Sequence, residues 1–402
     1  MEPTFNSETS VWTGRNVPYP FPLDTYMGEE LLKVLNEAPE NILEIHHEDD
    51  VRVTFAETRI NSIRVAQNLV KVGIKADDVV GIVCRNQLHL SSIIYGCTFI
   101  GVPVNPLDVS FVINDIKQMF SLTKPKIVVC DNDVFDNVKE ALVAIESDAE
   151  IYLFNERISG HKFIDDLLEP TGHEDEFISP KFEQDASQKI LAIMCSSGTT
   201  GSPKGVIVAH TQILSYLSSM PVFKSMVSTC FSSIYWLSGY ISMMITPFLK
   251  KETRIITKQG FNVKLFIEMI EKHKIIYWFS TPAYVSLLLQ STLLETANID
   301  SLVLIAAVGS IISEQLRKNF KLKFPKKIFL SGYGLTECSV SLPTIHDKFD
   351  GLKVGKITPN NKVKVVDEAG NGLGIGETGE IYVKPLFKLM VSGFINYFNC
   401  GD

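Results

Sequence analysis

The sequence has no excess of basic charge and no block of lysine or arginine. Lys and Arg together number 38 against 46 Asp and Glu, which gives a formal net charge of −8. Surfaces that bind nucleic acid need clustered basic side chains, because these displace counterions from the phosphates. The charge balance therefore argues against a nucleic-acid-binding protein.

Long hydrophobic runs are missing as well. The longest apolar stretches cover residues 92–104 and 236–249, and both are shorter than the ~18–20 residues that a membrane-spanning helix requires. The amino terminus is polar and shows no basic-then-apolar signal pattern. We therefore expect no transmembrane segment and interpret both stretches as buried elements.

Cysteine and histidine form none of the patterns that mark disulfide frameworks or zinc sites. The seven cysteines are scattered and odd in number, and no CxxC pair occurs. The eight histidines include no HExxH sequence or close ligand cluster. This usage favours a protein kept reduced inside the cell and argues against a zinc centre. The cysteines are Cys84, Cys97, Cys130, Cys195, Cys230, Cys338 and Cys400.

Short apolar runs alternate with helical patterns through the first half of the chain. Residues 79–84, 126–130 and 150–154 each read as a buried strand, and the stretches between them read as helices. Such a strand–helix–strand rhythm predicts a parallel sheet covered by helices. The polar residues 155–185 follow and are interpreted as a connection between subdomains.

The same rhythm returns in the second half. A strand at 189–195 runs straight into a loop of Gly, Ser and Thr, and residues 275–282, 301–310 and 326–334 read as further strands that end in polar loops. The carboxyl ends of strands in open parallel sheets are where ligands bind. Past about residue 350, short alternating segments around Asn/Gly turns predict a small antiparallel β unit.

Together these patterns predict an α/β fold with two stacked βαβ subdomains, mainly parallel sheets and a small antiparallel β unit at the carboxyl-terminal end. We place the first subdomain at about residues 20–185 and the second at 186–350. The β-rich subdomain would cover 351–402. No internal repeat or low-complexity tract interrupts this organisation.

The loop SSGTTGSPKG, residues 196–205, carries the strongest chemical signal. It holds three glycines, five hydroxyl side chains and a lysine in ten residues, directly after a predicted strand. Glycines let backbone N–H groups approach a polyphosphate closely, and a cation offsets its charge. The order of residues differs from the Walker pattern GxxxxGK[ST], so a P-loop kinase is a remote alternative. The other alternative is a flexible surface linker.

This loop resembles the signature of the adenylate-forming superfamily, which includes acyl-CoA synthetases, 4-coumarate–CoA ligases and beetle luciferases. A second match, GYGLTE at residues 332–337, stands further along the chain in the family's order. FIGVPVNPLD, VGSIIS and GETGEIYVK extend the resemblance over most of the sequence. The chain is thus identified as a member of that superfamily, closest in texture to the luciferase-like and coumarate-ligase-like branch.

The resemblance implies a set of site residues for ATP and Mg²⁺. Loop residues would hold the β- and γ-phosphates, another group would flank the adenine, and Thr336 would contact the α-phosphate. Glu337 would ligate Mg²⁺, and Lys204, Thr336, Glu337 and His210 would form the catalytic set. The implied nucleotide-binding residues are Ser197, Gly198, Thr199, Thr200, Gly201, Lys204, Val308, Gly309, Ser310, Gly332, Tyr333 and Thr336.

Three of these residues have plainer interpretations. Tyr333 is also typical of a half-buried aromatic at a strand end. Glu337 is also typical of the first turn of a helix, where the macrodipole favours a negative charge. His210 could cap the helix that follows it. These alternatives stay open at the level of the sequence.

The sequence departs from the family at two places. Trp236, within SIYWLSG, stands where many relatives have a histidine near the acyl carboxylate. The family's carboxyl-terminal lid is absent from the 402 residues, and the final Gly401-Asp402 resembles the Gly-Asp element that precedes that lid. Asp402 would then hold the ribose hydroxyls, although a terminal Gly-Asp also arises by chance.

The implied function is ATP-dependent activation of a fatty or aryl acid to an acyl-adenylate, followed by transfer to CoA. Two alternatives use the same motifs: luciferase-like adenylation with oxygenation, and a lid-less fragment that binds ATP without catalysis. The expected partners are a small carboxylic acid, ATP, Mg²⁺ and CoA. Gly401-Asp402 is not a peroxisomal signal, so we expect this chain in the cytoplasm and only a longer form in peroxisomes.

Overall fold

The computed structural model describes residues 3–19, 22–183, 185–197, 203–219, 226–246, 251–337, 341–342, 344–345 and 354–385. The helices are α1 Met27–Glu37, α2 Phe55–Lys71, α3 Leu90–Phe99, α4 Ile113–Thr123, α5 Phe135–Ala144, α6 Asp165–Leu168, α7 His210–Ser219, α8 Leu237–Tyr240, α9 Val263–His273, α10 Pro282–Gln290 and α11 Glu314–Lys323. Short 3-10 turns cover Asn132–Val134, Glu174–Glu176 and Thr292–Glu295, and a π-helical turn, Ile241–Ile245, continues α8.

The strands of the described chain fall into two large sheets and two small ones. They are β1 Thr4–Asn6, β2 Val11–Thr13, β3 Ile42–His46, β4 Arg52–Thr54, β5 Val80–Val83, β6 Val104–Pro106, β7 Ile127–Cys130, β8 Glu150–Leu153, β9 Lys162–Phe163, β10 Ile190–Ser197, β11 Pro203–Ala209, β12 Val227–Cys230, β13 Thr253–Ile256, β14 Tyr277–Ser280, β15 Leu304–Ala307, β16 Ile328–Ser331, β17 Ser341–Leu342, β18 Thr344–Ile345, β19 Lys356–Ile357, β20 Asn361–Val366 and β21 Glu380–Pro385.

Both large sheets are mainly parallel, which confirms the predicted fold class. The seven-stranded sheet has the order β11-β10-β6-β5-β7-β8-β9, and the eight-stranded sheet has the order β18-β16-β15-β14-β12-β13-β3-β4. Antiparallel pairs occur only at their edges, at β10–β11, β16–β18 and β3–β4. The predicted antiparallel unit is confirmed by β20 and β21, which pair with β1 and β2 in the order β1-β2-β20-β21.

Sheet membership does not follow the boundary predicted between residues 185 and 186. β3 and β4, from the first stretch of the chain, join the eight-stranded sheet, whereas β10 and β11 return to the seven-stranded one. The polar stretch 155–185 also contains β9, which pairs with β8 at a sheet edge. Strands that pair can lie far apart in the chain. Local periodicity indicates which face of a strand is buried, but it does not indicate which strand becomes its neighbour.

Helix α3 is buried on every side because it lies in the core that the two large sheets share. All ten of its residues are buried, and its side chains belong to a cluster with Ile82 of one sheet and Ala306 of the other. A helix that is apolar all round is expected in this position. This explains most of the apolar stretch 92–104 without a membrane, and no described helix is long and apolar enough to span one.

The outer faces of the sheets use the alternate residues of the same strands. In β7, Ile127 and Val129 face the shared core, whereas Val128 and Cys130 pack with α4 and α5. In β15, Ile305 packs outward with α9 to α11. Because successive side chains of a strand point to opposite faces, β7 and β15, which are covered on both faces, are apolar throughout.

Local signals fix the ends of several helices. At the start of α2, Glu57 N–H donates to Thr54 Oγ1 at 3.2 Å and Thr54 N–H donates to Glu57 Oε2 at 2.7 Å, a capping box. Gly96 of α3 allows close contact with α2, because a Cβ there would lie 2.6 Å from Val65 Cγ1. These contacts fix the start of α2 and its packing on α3, and both helices pack in the core next to the parallel strands.

Candidate active site

Two neighbouring parallel strands bring together the residues predicted to flank the adenine. β15 and β16 pair in register, so that Ala307 lies opposite Ser331. Residues 308–310 directly follow β15, and residues 332–337 directly follow β16. Because parallel strands end at the same edge of a sheet, the two segments are neighbours at a position typical of ligand sites.

The segment Val308-Gly309-Ser310 presents open backbone. Val308 N–H donates to the Ser280 carbonyl at 3.1 Å, which ties the segment to the end of β14. Gly309 has φ +92°, and no heavy atom lies within 4 Å of the position that its Cβ would take. The left-handed conformation, rather than lack of space, therefore requires glycine here. Gly309 and Ser310 are exposed, so a ligand can approach this turn closely.

The segment after β16 presents an aromatic ring and two oxygen-bearing side chains at the same edge. Tyr333 is 38% exposed, which fits both a ring that stacks on a base and a half-buried aromatic, so its role stays a prediction. Thr336 and Glu337 are partly buried and lie in non-helical backbone. The helix-macrodipole interpretation of Glu337 therefore has no support in its observed conformation.

The first motif lies at the turn end of the antiparallel hairpin that β10 and β11 form. Ser197, the last residue of β10, lies opposite Pro203, and Ser196 lies opposite Lys204. Lys204 is partly buried at the start of β11. The predicted residues Gly198, Thr199, Thr200 and Gly201 lie outside the described part of the chain. Ser197 and Lys204 thus mark the two ends of the predicted phosphate loop.

Gln212, which the sequence interpretation did not single out, joins the two motifs. It lies in the first turn of α7, the helix that directly follows the hairpin, and it is 5% exposed. Its Nε2 donates to the Thr336 carbonyl at 3.3 Å and to the Glu337 carbonyl at 2.8 Å. Its polar side chain in the otherwise apolar stretch after the loop is the signal that could have revealed it.

His210 is buried at the start of α7, and its side chain anchors the start of α1. It begins α7, is 1% exposed, and its Nδ1 accepts a hydrogen bond from Met27 N–H at 3.0 Å. It therefore satisfies one of the unpaired N–H groups at the start of α1. Burial, and then the nearby Lys189, lower the pKa of His210 to about 3, so the imidazole is neutral at pH 7. These contacts give it a positioning role.

The segment that carries Trp236 follows β12 and contacts the strand of the phosphate loop. Tyr235 packs against Phe111 and Trp236, with ring centroids 5.1 and 4.8 Å apart. Its hydroxyl hydrogen-bonds the thiol of Cys195, two residues before Ser197. The segment after β12 therefore packs against β10, the strand that leads into the predicted phosphate loop.

A polar network at the carboxyl edge of the seven-stranded sheet was not predicted. Arg85 Nη1 lies 2.7 Å from Asp131 Oδ2, and Arg85 Nη2 lies 2.8 Å from Asp133 Oδ2. The guanidinium lowers the pKa of Asp133, whereas burial raises the pKa of Asp131. Because two carboxylates already engage Arg85, it serves to hold the loops after β5 and β7 together. The sequence signal was CRNQ directly after a strand.

The carboxyl edges of the two large sheets face a common cavity beside that network. The cavity measures about 570 Å³ and includes Arg85 and Asp133 from one sheet and Lys258 and Gln259 from the other. A larger cavity of about 940 Å³ runs along α9 and contains none of the predicted site residues. Neither cavity contains a predicted site residue, so cavity volume does not locate the predicted site.

Glu337 is the one acidic residue predicted as a metal ligand. The described residues contain no group of three or more His, Cys, Asp and Glu side chains that could hold a metal ion. Mg²⁺ usually takes one or two carboxylates together with substrate phosphates and water. Glu337 would supply one carboxylate at the edge where residues 308–310 and 332–337 lie. One carboxylate fits a Mg²⁺ ion that a nucleotide holds mainly through its phosphates.

Comparison with protein families places these features in context. The family described as AMP-binding enzyme matches residues 33–387. The luciferin 4-monooxygenase of Photuris pensylvanica is 27% identical over 337 residues, which cover 80% of this chain and 61% of that protein. The 4-coumarate–CoA ligase 1 of Solanum tuberosum is 24% identical over 395 residues, which cover 94% of this chain and 70% of that protein.

A solved structure shows the same architecture. The luciferase-like enzyme from the nonluminescent mealworm Zophobas morio superposes with a TM-score of 0.85 at 24% identity, covering 93% of this chain and 89% of the mealworm chain. At this identity the likeness shows the fold. The chain spans between 61% and 70% of the two sequence relatives, so their complete activities do not transfer to it directly.

Proposed function

The chain belongs to the AMP-binding enzyme family, and on that premise we propose that it activates a fatty or aryl carboxylic acid with ATP to an acyl-adenylate. The observation that carries the proposal is the bridge made by Gln212. It joins the helix that follows the phosphate-loop hairpin to the Thr336–Glu337 segment, which lies beside residues 308–310. In this proposal, the segments that hold the phosphates, the base and the cation are connected through this contact.

In this proposal each segment contacts one part of the nucleotide. The loop between Ser197 and Lys204, with Gly198 to Gly201, holds the β- and γ-phosphates. Residues 308–310, Gly332 and Tyr333 flank the adenine, where open backbone and an exposed ring suit a planar base. Thr336 contacts the α-phosphate. Glu337 holds Mg²⁺, which neutralises phosphate charge when bound.

The chemistry is an in-line displacement at phosphorus. A carboxylate oxygen of the acid forms a bond to the α-phosphorus while the bond to the bridging oxygen breaks, and pyrophosphate leaves. Two anions must meet, so alignment and positive charge supply most of the rate enhancement. In this proposal, Lys204 stabilises the departing pyrophosphate. His210 supports the site indirectly, since it anchors α1 against the first turn of α7.

We propose that the acyl group then passes from AMP to the thiol of CoA. The sulfur attacks the acyl carbon, the bond to the AMP oxygen breaks, and a thioester and AMP form. This step extends the proposal beyond the adenylating half-reaction. The name of the 4-coumarate–CoA ligase relative supports it.

The Photuris relative favours a second candidate, in which the adenylate is oxygenated by O₂. Both candidates share the adenylation step and differ in what consumes the adenylate. Incubation with beetle luciferin, ATP and Mg²⁺ separates them. Light would favour oxygenation, whereas CoA-dependent thioester formation in the dark would favour the ligase.

Acid-dependent pyrophosphate release tests the adenylation step directly. Purified chain is incubated with ATP, Mg²⁺ and a panel of fatty and aryl acids. We expect Lys204→Met and Glu337→Gln to lower release by about 10²–10³-fold, the usual loss when one preorganised charge is removed from a transition state. Lys264→Met is the matched control, because Lys264 is 77% exposed on α9.

Two results would contradict the proposal. Release that is independent of acid would indicate ATP hydrolysis instead of acid activation. Absence of release with every acid, together with intact ATP binding, would favour the non-catalytic alternative for this chain. Equal activity of Lys204→Met and Lys264→Met would remove Lys204 from the site.

A further inference from the structure

Two histidines meet where helix α9 ends beside the turn between β3 and β4. His47 directly follows β3, and His273 is the last residue of α9. His47 Nδ1 lies 3.2 Å from His273 Nε2, and the two rings are nearly perpendicular, at 73°. Both residues are partly exposed. Ring nitrogens from residues 226 positions apart in the chain therefore face each other within reach of solvent.

The backbone holds both histidines in place. His47 N–H donates to the Ile256 carbonyl at 2.9 Å, which extends the pairing of β3 with β13 by one residue. On the other side, Lys274 adopts a left-handed conformation with φ +54° and ends α9 directly after His273. A regular strand and a regular helix thus present the two rings to each other.

The distance between the two ring nitrogens suits a metal ion. Two nitrogens that bind one tetrahedral ion at about 2.0–2.1 Å lie about 3.3 Å apart, and His47 and His273 approach to 3.2 Å. Without an ion, one ring donates a hydrogen bond to the other. An ion would take the place of that hydrogen, which moves to the second nitrogen of its own ring, so both imidazoles stay neutral. Binding therefore needs little rearrangement.

The surroundings of the pair favour a cation. His273 lies in the last turn of α9, where the helix macrodipole places a partial negative charge. The cavity of about 940 Å³ that runs along α9 is lined by His47 and by the carboxylates of Glu48, Glu268 and Glu271. The pair therefore stands beside a solvent-filled space with room for an ion and its water.

Two lysines also line that cavity, and oxygen atoms already engage both of them. Lys272 Nζ donates to the His47 carbonyl at 3.0 Å and lies 4.0 Å from Asp50 Oδ1. Lys264 Nζ lies 3.9 Å from Glu268 Oε1. These contacts offset the repulsion that the lysines would exert on a bound cation.

Both imidazoles are in the protonation state that binds metals. Burial, and then the charge of Lys272, lower the pKa of His47 and bring the pKa of His273 to about 4. Neutral imidazole is the metal-binding form of histidine. At pH 7 an ion would therefore not have to displace an excess proton from either ring.

We propose that His47 and His273 bind a divalent transition-metal ion of the Zn²⁺ type, at a site separate from Glu337. Imidazole nitrogen suits Zn²⁺, Ni²⁺ and Cu²⁺, whereas Mg²⁺ takes oxygen ligands. The described residues supply no third His, Cys, Asp or Glu to the pair, so water or a ligand in the cavity completes the coordination. The ion connects the end of α9 to the turn after β3. This inference does not depend on the proposed adenylation.

Titration of the untagged, metal-free full chain with Co²⁺ tests the site, because visible absorption reports the ligands of Co²⁺. We expect one ion to bind, Zn²⁺ to displace it and excess Mg²⁺ to leave it in place. His47→Gln and His273→Gln should each weaken binding by at least about tenfold, since even the loss of a ligand's hydrogen-bond partner costs about 10–100-fold. His173→Gln is the matched control, because His173 is exposed and faces Glu176 at 3.2 Å instead of a second imidazole.

Four results would overturn the inference. These are no binding of Co²⁺, binding of unchanged strength when both substitutions are combined, a thiolate-to-cobalt absorption band that places the ion on cysteine, and displacement by Mg²⁺. A further measurement needs no variant. The EPR spectrum of Cu²⁺ bound to the unmodified chain should show splitting by two imidazole nitrogens, and splitting by fewer nitrogens would contradict the site.

Discussion

The shared core of the two large sheets and the carboxyl edge of the eight-stranded sheet differ in how far their side chains are buried. In the core, all ten residues of α3 are buried. The charged side chains of Glu44 and Arg254 are also buried there and form an ion pair. At the edge, Gly309, Ser310 and Tyr333 are exposed. The contacts of the core stabilise the fold, whereas the exposed groups of the edge lie where we propose that the nucleotide binds. Substitutions in the two regions should therefore separate stability from activity.

The largest expected effect lies in the core, at the buried pair of Glu44 and Arg254. Arg254 donates to Glu44 through Nε at 3.1 Å and through Nη2, and both side chains are 1% exposed. Arg254→Met leaves a buried carboxylate without its cation and should lower the free energy of unfolding by about 3–5 kcal/mol. Denaturant-induced unfolding measures this.

The control for that prediction changes both partners. Replacing Glu44 and Arg254 together by Leu and Met should recover most of the loss, because no buried charge remains. A double variant as unstable as Arg254→Met would show that packing, and not charge, causes the effect.

Acid should weaken the same pair. Burial would raise the pKa of Glu44, but Arg254 and His46 lower it to about 2, against 4.5 for the free side chain. The stabilisation is therefore complete above pH ~4.5 and is lost as the pH falls towards 2. Stability that stays constant over this range would contradict the assignment.

His210 lies between the two regions, and its effect should be intermediate. His210→Leu removes the acceptor of the buried Met27 N–H and should cost about 1–3 kcal/mol of unfolding free energy. His210→Asn is the control, since its amide oxygen can replace Nδ1. Because the folded pKa is about 3 and the unfolded one about 6.5, the folded state favours neutral His210. Its contribution should be complete above pH ~6.5 and decline as the pH falls towards 3, and Asn should abolish that decline.

Gln212 tests the edge rather than the core. Gln212→Leu removes two hydrogen bonds to the Thr336–Glu337 backbone and should raise the KM for ATP by about tenfold, since hydrogen bonds of this kind contribute about 1 kcal/mol each. The same loss should lower the unfolding free energy by about 1–2 kcal/mol, so the KM is measured at a temperature at which the variant stays folded. Gln290→Leu, an exposed glutamine at the end of α10 that bonds only Ser286 among the described residues, is the control. An unchanged KM for ATP would show that the contact between Gln212 and the Thr336–Glu337 segment does not support ATP binding.

The smallest effect is expected at the surface of the core layer. Thr54→Ala removes the capping box of α2 and should lower the unfolding free energy by about 1 kcal/mol. Pyrophosphate release should not change, because α2 packs mainly on α1, α3 and α6, and these helices carry no predicted site residue. A loss of activity larger than the loss of stability would mean that α2 transmits strain to the edge.

Local patterns predicted the elements well. The strands at 80–83, 127–130 and 304–307 lie where apolar runs indicated them, and the helix at 135–144 lies between two of the predicted strands. The apolar stretch 92–104 was correctly interpreted as buried, since it supplies α3 and β6. These predictions succeed because periods of 2 and 3.6 residues are written into consecutive side chains.

Two parts of the site were harder to predict. The two motifs were found because glycine, hydroxyl and carboxylate residues are concentrated there, but their roles remain predictions. Gln212 and the Arg85 network were missed because each is one ordinary polar residue whose partner lies far along the chain. Gln212 and Glu337 are 125 positions apart, and no local signal links them.

The sequence by itself determined the order of strands and helices, the α/β class and the loop at residues 196–205 that suits a polyphosphate. Tertiary structure alone decided that β3 joins the sheet of β13 while β10 returns to that of β6. It also decided that residues 308–310 and 332–337 lie side by side. The physical reason is range: periodicity and propensity act over a few residues, whereas strand pairing and burial join residues far apart in the chain.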